Sequence, residues 1–277
     1  MKSLALVVSA LALFSAAGLA IAQPAEKGQE RRQERSRQSS APTQEFPKSL
    51  PVPAETAKKG TVYYCITAKE RQITLHSDAP VEQIDGYSIN VVGYAVAGPK
   101  DSPAKLQAGE WHLPVASIDT GNRMRNKHLT EAGWLDAAKF PNIIFKLSEV
   151  KDIGEAKTDE TTGATSYECT LVGDMTLHGI TKQMTIPGAK IAFRKGDETT
   201  AREAAGDLML VSCKFKIKLS DFGVSNKVVG QKVAEDIELT TKLVHTTVEP
   251  SKGEEKPKDA AKPDEKKDEK KPVQSGS

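Results

Sequence analysis

The sequence predicts an all-β fold, an antiparallel barrel with one short helical insertion, flanked by disordered tails. Three observations lead there. Apolar residues in the middle of the 277-residue chain recur with period two, a single stretch breaks that period, and both ends lack apolar periodicity. Many alternating strands without a strand–helix–strand rhythm exclude a parallel α/β sheet, and closing the sheet removes edges that would otherwise need protection.

The N-terminus reads as an export signal. Lys2 precedes an apolar run from Leu4 to Ala20, and Ala20-Ile21-Ala22 presents small residues to a signal peptidase, so residues 1–22 are expected to be removed before Gln23. The alternative is an uncleaved anchor, because the run is just long enough to span a bilayer. Cleavage is the favoured reading and predicts a periplasmic or secreted protein. Residues 23–55 are rich in Gln, Glu, Arg, Ser and Pro and read as a disordered linker. Residues 250–277 are a Lys/Asp/Glu/Pro mixture with nearly balanced charge, a solvated tail. Between them, residues 56–249 hold enough Val, Ile, Leu and aromatic side chains for one core.

Within that core, Cys213-Lys214-Phe215-Lys216-Ile217-Lys218-Leu219 is the clearest strand, with lysines on one face and apolar side chains on the other. Ile237, Leu239 and Leu243 alternate in the same way. So do Ile143, Phe145 and Leu147 after Pro141, and Leu171, Met175 and Leu177 after Cys169. Segments 61–67, 72–77, 87–97, 111–118 and 184–193 are further strands. Turn signals at Gly98-Pro99, His178-Gly179 and Lys195-Gly196-Asp197 punctuate them. Segment 122–138 carries helix formers with Leu129, Trp134 and Leu135 on one side and Gly133 as an interruption. It predicts one or two short helices ending before Phe140-Pro141.

The chemistry is read by exclusion as well as by pattern. A net charge of +2 without a basic face gives no reason to expect nucleic acid. Cys65, Cys169 and Cys213 form no Cys-x-x-Cys pair. They read as buried strand residues in preference to one disulfide plus a free thiol. The five histidines lack the close spacing of a local metal site, and no metal or other cofactor is expected. No nucleophile elbow, zinc-protease helix, phosphate loop or dinucleotide fingerprint is present, so no catalytic residues are assigned. Asp174 and His178, four apart, are the only acid–base pair worth weighing, and they lack a nucleophile.

The ordered motifs carry a resemblance. Ser117-Ile118-Asp119-Thr120-Gly121, then Arg125-Asn126 and His128-Leu129, is followed by Trp134-Leu135-Asp136 and Lys139-Phe140-Pro141-Asn142-Ile143-Ile144-Phe145. Further on come Gly173-Asp174-Met175-Thr176-Leu177-His178-Gly179-Ile180-Thr181-Lys182 and Asp221-Phe222-Gly223. In this order they resemble the YceI family of polyisoprenoid-binding proteins over about residues 61–247. Asn126 departs from the family pattern, which has Asp after the Arg. The resemblance implies an eight-stranded lipocalin-like barrel with a long isoprenoid or quinone-like amphiphile in its lumen.

On that reading Phe145, Leu171, Met175, Phe215, Ile217, Ile237 and Leu239 line the lumen, and Arg125, Asn126, His128 and Trp134 stand at its mouth. The plainer alternative is that the apolar set fills the core, and that Asp119, Thr120 or Asn122 caps the helix while Arg125 packs on its surface. On the ligand reading, a guanidinium beside a neutral Asn126 is freer to meet a phosphate. Three functions remain open: an isoprenoid carrier in the cell envelope, an envelope interaction protein with a filled core and a charged tail, and a hydrolase built on Asp174 and His178. Membrane contact is expected to be transient, and a homodimer is compatible with the sequence.

Overall fold

The computed structural model describes residues 46–67, 70–202 and 204–250. The expected signal segment, most of the expected linker and residues 251–277 of the charged tail lie outside the described residues.

Eleven strands form one antiparallel sheet that closes on itself. In chain order, the short helix α1 (Ala54–Ala57) is followed by β1 (Val62–Cys65), β2 (Ile73–Asp78), β3 (Gln83–Ser88), β4 (Val92–Val96) and β5 (Ala108–Pro114). Helix α2 (Arg123–Thr130) separates these from β6 (Asn142–Lys151), β7 (Lys157–Thr158), β8 (Thr165–Leu177), β9 (Ile180–Arg194), β10 (Leu208–Lys218) and β11 (Asp236–Thr246). From β4 to β11 the strands pair in chain order, with the short β7 off the path beside β8, as in an up-and-down barrel. Closure comes at β11. Its C-terminal end pairs with β1 (Cys65↔His245) and its N-terminal half with β2 (Leu75↔Leu239). Thus β1 and β2 are two halves of one interrupted strand. Because β3 pairs with β2 and β4 with β1, these two also form a single interrupted strand, and eight staves complete the ring.

The expected strand 87–97 is therefore two strands, with the break at residues 89–91. Most of β3 is invisible to an alternation search because its inward positions Gly86 and Ser88 are small or polar. One side chain repairs the double break. Gln72, fully buried, donates from Nε2 to the carbonyls of Ile66 (2.8 Å) and Val91 (3.1 Å), and its Oε1 accepts from Val91 N–H (2.8 Å). Backbone groups that lost their ladder partners are satisfied by a side-chain amide, as buried polar groups must be.

The turn signal at His178-Gly179 marks a two-residue hairpin loop with both residues at positive φ (51° and 77°), the geometry that matches strand twist. Segment 122–138 contains one helix rather than two. Helix α2 ends at Thr130 and the chain continues to Phe140 as hydrogen-bonded turns. Asn122 caps it, its Oδ1 accepting from Met124 N–H and Arg125 N–H.

The barrel interior has two halves. At one end Tyr63, Cys65, Ala95, Cys169, Ile191, Met209 and His245 are buried. Toward α2, side chains that point inward on the same strands remain only half-buried, among them Ile73, Leu75, Phe145, Phe215 and Leu239.

Candidate functional site

The half-buried side chains surround a cavity of about 460 Å³. Every strand of the barrel's hollow half contributes. The wall includes Ile73 and Leu75 from β2, Leu113 from β5, Phe145 from β6, Leu171 and Met175 from β8, Phe215 and Ile217 from β10, and Ile237 and Leu239 from β11. Inward apolar residues that keep solvent contact inside a barrel are the signature of an unfilled lumen. A well-packed core leaves few voids larger than a water molecule.

At the rim stand Met124, Arg125, His128 and Trp134 from the α2 region, Glu82 from the β2–β3 turn, and Val228 and Lys232 from the loop before β11. Of the residues singled out in sequence, ten reach this cavity: Arg125, His128, Trp134, Phe145, Leu171, Met175, Phe215, Ile217, Ile237 and Leu239. Asn126 does not. Its Oδ1 accepts from the backbone N–H (2.9 Å) and hydroxyl (2.6 Å) of Thr120, and its Nδ2 donates to Asp119 Oδ1 (2.9 Å). That amide, together with Gly121 N–H, holds the Asp119 carboxyl below the usual carboxylate range. Asn126 fastens the loop that leads into α2.

Arg125 is not free either. Its Nη1 donates to Glu82 Oε1 at 2.6 Å, its Nε to Thr120 Oγ1 at 3.0 Å and its Nη2 to Thr120 O at 3.2 Å. The freedom that Asn126 leaves to Arg125 is thus taken up by Glu82. The neutral residue at 126 left the cation to find its carboxylate on another element, and the ion pair straps α2 to the β2–β3 turn across the rim. Glu82 and Lys232 were missed in sequence because they lie on turns, where no periodicity marks a face.

The floor of the cavity is aromatic. Trp111 Nε1–H donates to His245 Nε2 (2.8 Å), and His245 Nδ1–H donates to Met209 O (3.3 Å). Both ring nitrogens are thereby assigned, and burial holds the His245 pKa down at about 4, so the ring is neutral. Phe145 stacks on Trp111 with centroids 6.1 Å apart.

The thiols are free. Burial pushes Cys65 up to about 12 and Cys169 to about 11, and Cys213, on the cavity wall, is raised for the same reason. Asp174 and His178 line no part of the cavity. Asp174 sits opposite Lys146 on β6, and His178 packs its ring edge-on against Phe140 with Nδ1 3.2 Å from the Phe222 carbonyl. Among the described residues no group of three or more His, Cys, Asp or Glu is placed to hold a metal ion.

Residues 64–245 match the model of the YceI-like domain. Protein YceI of Escherichia coli O157:H7 is 33% identical over 112 residues, which is 40% of this chain and 49% of that protein. A UPF0312 protein of Vibrio parahaemolyticus is 31% identical over 127 residues, 46% of this chain and 57% of that one. The chain spans about half the length of these curated relatives. Among solved structures, BcnA of Burkholderia cenocepacia aligns with a TM-score of 0.47 at 17% identity, covering 68% of this chain and 97% of that one. A polyisoprenoid binding domain from Saccharophagus degradans aligns with a TM-score of 0.46 at 10% identity, covering 68% and 99%.

Proposed function

The chain belongs to the YceI-like domain family, and on that premise we propose that it is an exported, non-catalytic carrier that holds a polyisoprenoid or similar long-chain amphiphile in the barrel lumen. The observation that supports this most is the apolar, unfilled half of the barrel, with its polar groups confined almost entirely to the rim. A hydrocarbon chain entering past α2 meets Phe145, Met175, Phe215, Ile217, Ile237 and Leu239. Its polar end stays with Arg125, His128, Asn122 and Lys232. Burying about 300 Å² of chain at about 25 cal/mol per Å² contributes roughly 7 kcal/mol, enough for binding without a covalent step once ordering costs are subtracted. The fixed Arg125–Glu82 pair leaves two guanidinium N–H groups for a head group, so Arg125 serves as a hydrogen-bond donor more than as a bare charge.

Native mass spectrometry of the mature protein from its own cell envelope, followed by solvent extraction, tests the proposal. A co-purifying long-chain lipid is the expected result, with an N-terminus at Gln23 for the exported form. A protein that arrives empty and refuses added prenols and quinones would replace the carrier with the envelope interaction protein.

A further inference from the structure

Resting on the carrier reading, we propose that Trp111 is a fixed floor that limits the lumen to about three to four isoprene units, any longer chain leaving its remainder outside the rim. The indole is seated over two glycines that make room for it. A Cβ on Gly93 would stand 2.7 Å from Trp111 Cδ1, and one on Gly109 would stand 2.5 Å from Cη2. Phe145, stacked beside it, has its own seat over Gly173, where a Cβ would come within 2.6 Å of the ring. The indole is also pinned. Its N–H is bonded to His245, a fully buried ring whose other nitrogen is held by the Met209 carbonyl.

Trp111 sits where the cavity ends. On β8 Leu171 lines it and Cys169 does not. On β10 Val211 does and Met209 does not, and on β11 Leu243 does and His245 does not. The three residues beyond are at most 2% exposed, so the barrel is solid from there down.

The capacity follows from the depth of the hollow half. From Leu243 to Ile237 the strand rises roughly 20 Å, which a barrel tilt of about 40° reduces to roughly 15 Å of depth, the span of about three to four extended isoprene units.

Both tryptophans of the chain, Trp111 and Trp134, line the cavity, one at the floor and one at the rim. The test is competition of geraniol, farnesol, geranylgeraniol and the nine-unit prenol solanesol for the mature protein, read by native mass spectrometry and by tryptophan fluorescence. Affinity should rise at least about tenfold from the two-unit to the three-unit prenol and change by less than about threefold beyond four units. Trp111→Leu, checked for native circular dichroism, should move the plateau to longer chains, with Trp134 still reporting. Leu171→Phe should move it to shorter ones, which keeps the test decisive even where the first variant fails to fold. Affinity that climbs through to solanesol, or a plateau that neither variant moves, overturns the floor while leaving the carrier intact. No binding at any length overturns the carrier itself, and the floor with it.

Discussion

The two halves of the barrel are built from the same strands with the same alternation, yet one is solid and the other hollow. On β10 the inward series runs Met209, Val211, Cys213, Phe215, from fully buried to half-buried. On β11 it runs from His245, fully buried, to Leu239, half-buried. What differs is how the opposing staves fill the middle. In the solid half Tyr63, Met209 and Ile191 pack with small partners such as Ala95, Ala189 and Cys65. In the hollow half Ile73, Leu75, Phe145, Phe215 and Leu239 stand on the walls around an open cavity and stay only half-buried. Inward orientation therefore says nothing about packing density.

The sharpest way to break this contrast is at the seam between interrupted strands. Gln72→Leu leaves the Ile66 carbonyl and the Val91 N–H without partners and the Val91 carbonyl with the Cys65 thiol alone (3.6 Å), and at about 1–3 kcal/mol for each orphaned group the expected loss is roughly 4 kcal/mol in urea-unfolding free energy. A loss under about 1 kcal/mol would mean that the seam is hydrated.

Paired truncations compare the halves directly. Met209→Ala, in the solid half, should cost about 3 kcal/mol because it opens a new cavity. Leu239→Ala should cost about 1 kcal/mol, since its side chain already faces open space. Equal costs would refute the hollow lumen.

The solid half also carries a pH signature. The His245 pKa is depressed to about 4 in the folded protein by burial, while the unfolded chain takes up its proton near pH 6.5. Stability is thus fully present above about pH 6.5 and declines as pH falls toward 4, by up to roughly 3 kcal/mol. His245→Gln should flatten that stretch of the urea-midpoint profile.

The smallest effect is expected at the rim. Arg125→Ala removes an ion pair whose side chains are 27% and 45% exposed, and at that exposure the stability change should stay below about 1 kcal/mol. Any larger consequence should appear in ligand affinity instead, measured by the prenol competition.

Much of this was legible in the chain. The alternation in 213–219 and 237–243 places Phe215, Ile217, Ile237 and Leu239 on the inner face, and the structure puts them on the cavity wall. The His178-Gly179 turn is a local signal and falls where expected. Strand β3 was hidden because Gly86 and Ser88 occupy its inner positions: Gly86 accommodates Leu75, and Ser88 Oγ lies 2.7 Å from Ser117 Oγ. Asn126 looked like a mouth residue because it sits beside Arg125. Its bonds to Asp119 and Thr120 depend on a loop conformation that residue order does not reveal.

By itself the sequence determined the fold class, the family, the inner and outer faces of the principal strands and the position of α2, since each is a local pattern of side-chain type. Only the tertiary structure decided which half of the barrel is hollow, that Trp111 meets a histidine 134 residues away, and that Arg125 is claimed by a glutamate 43 residues away. Those outcomes depend on barrel closure, which sets the volume between opposing walls and brings distant polar groups within hydrogen-bonding reach.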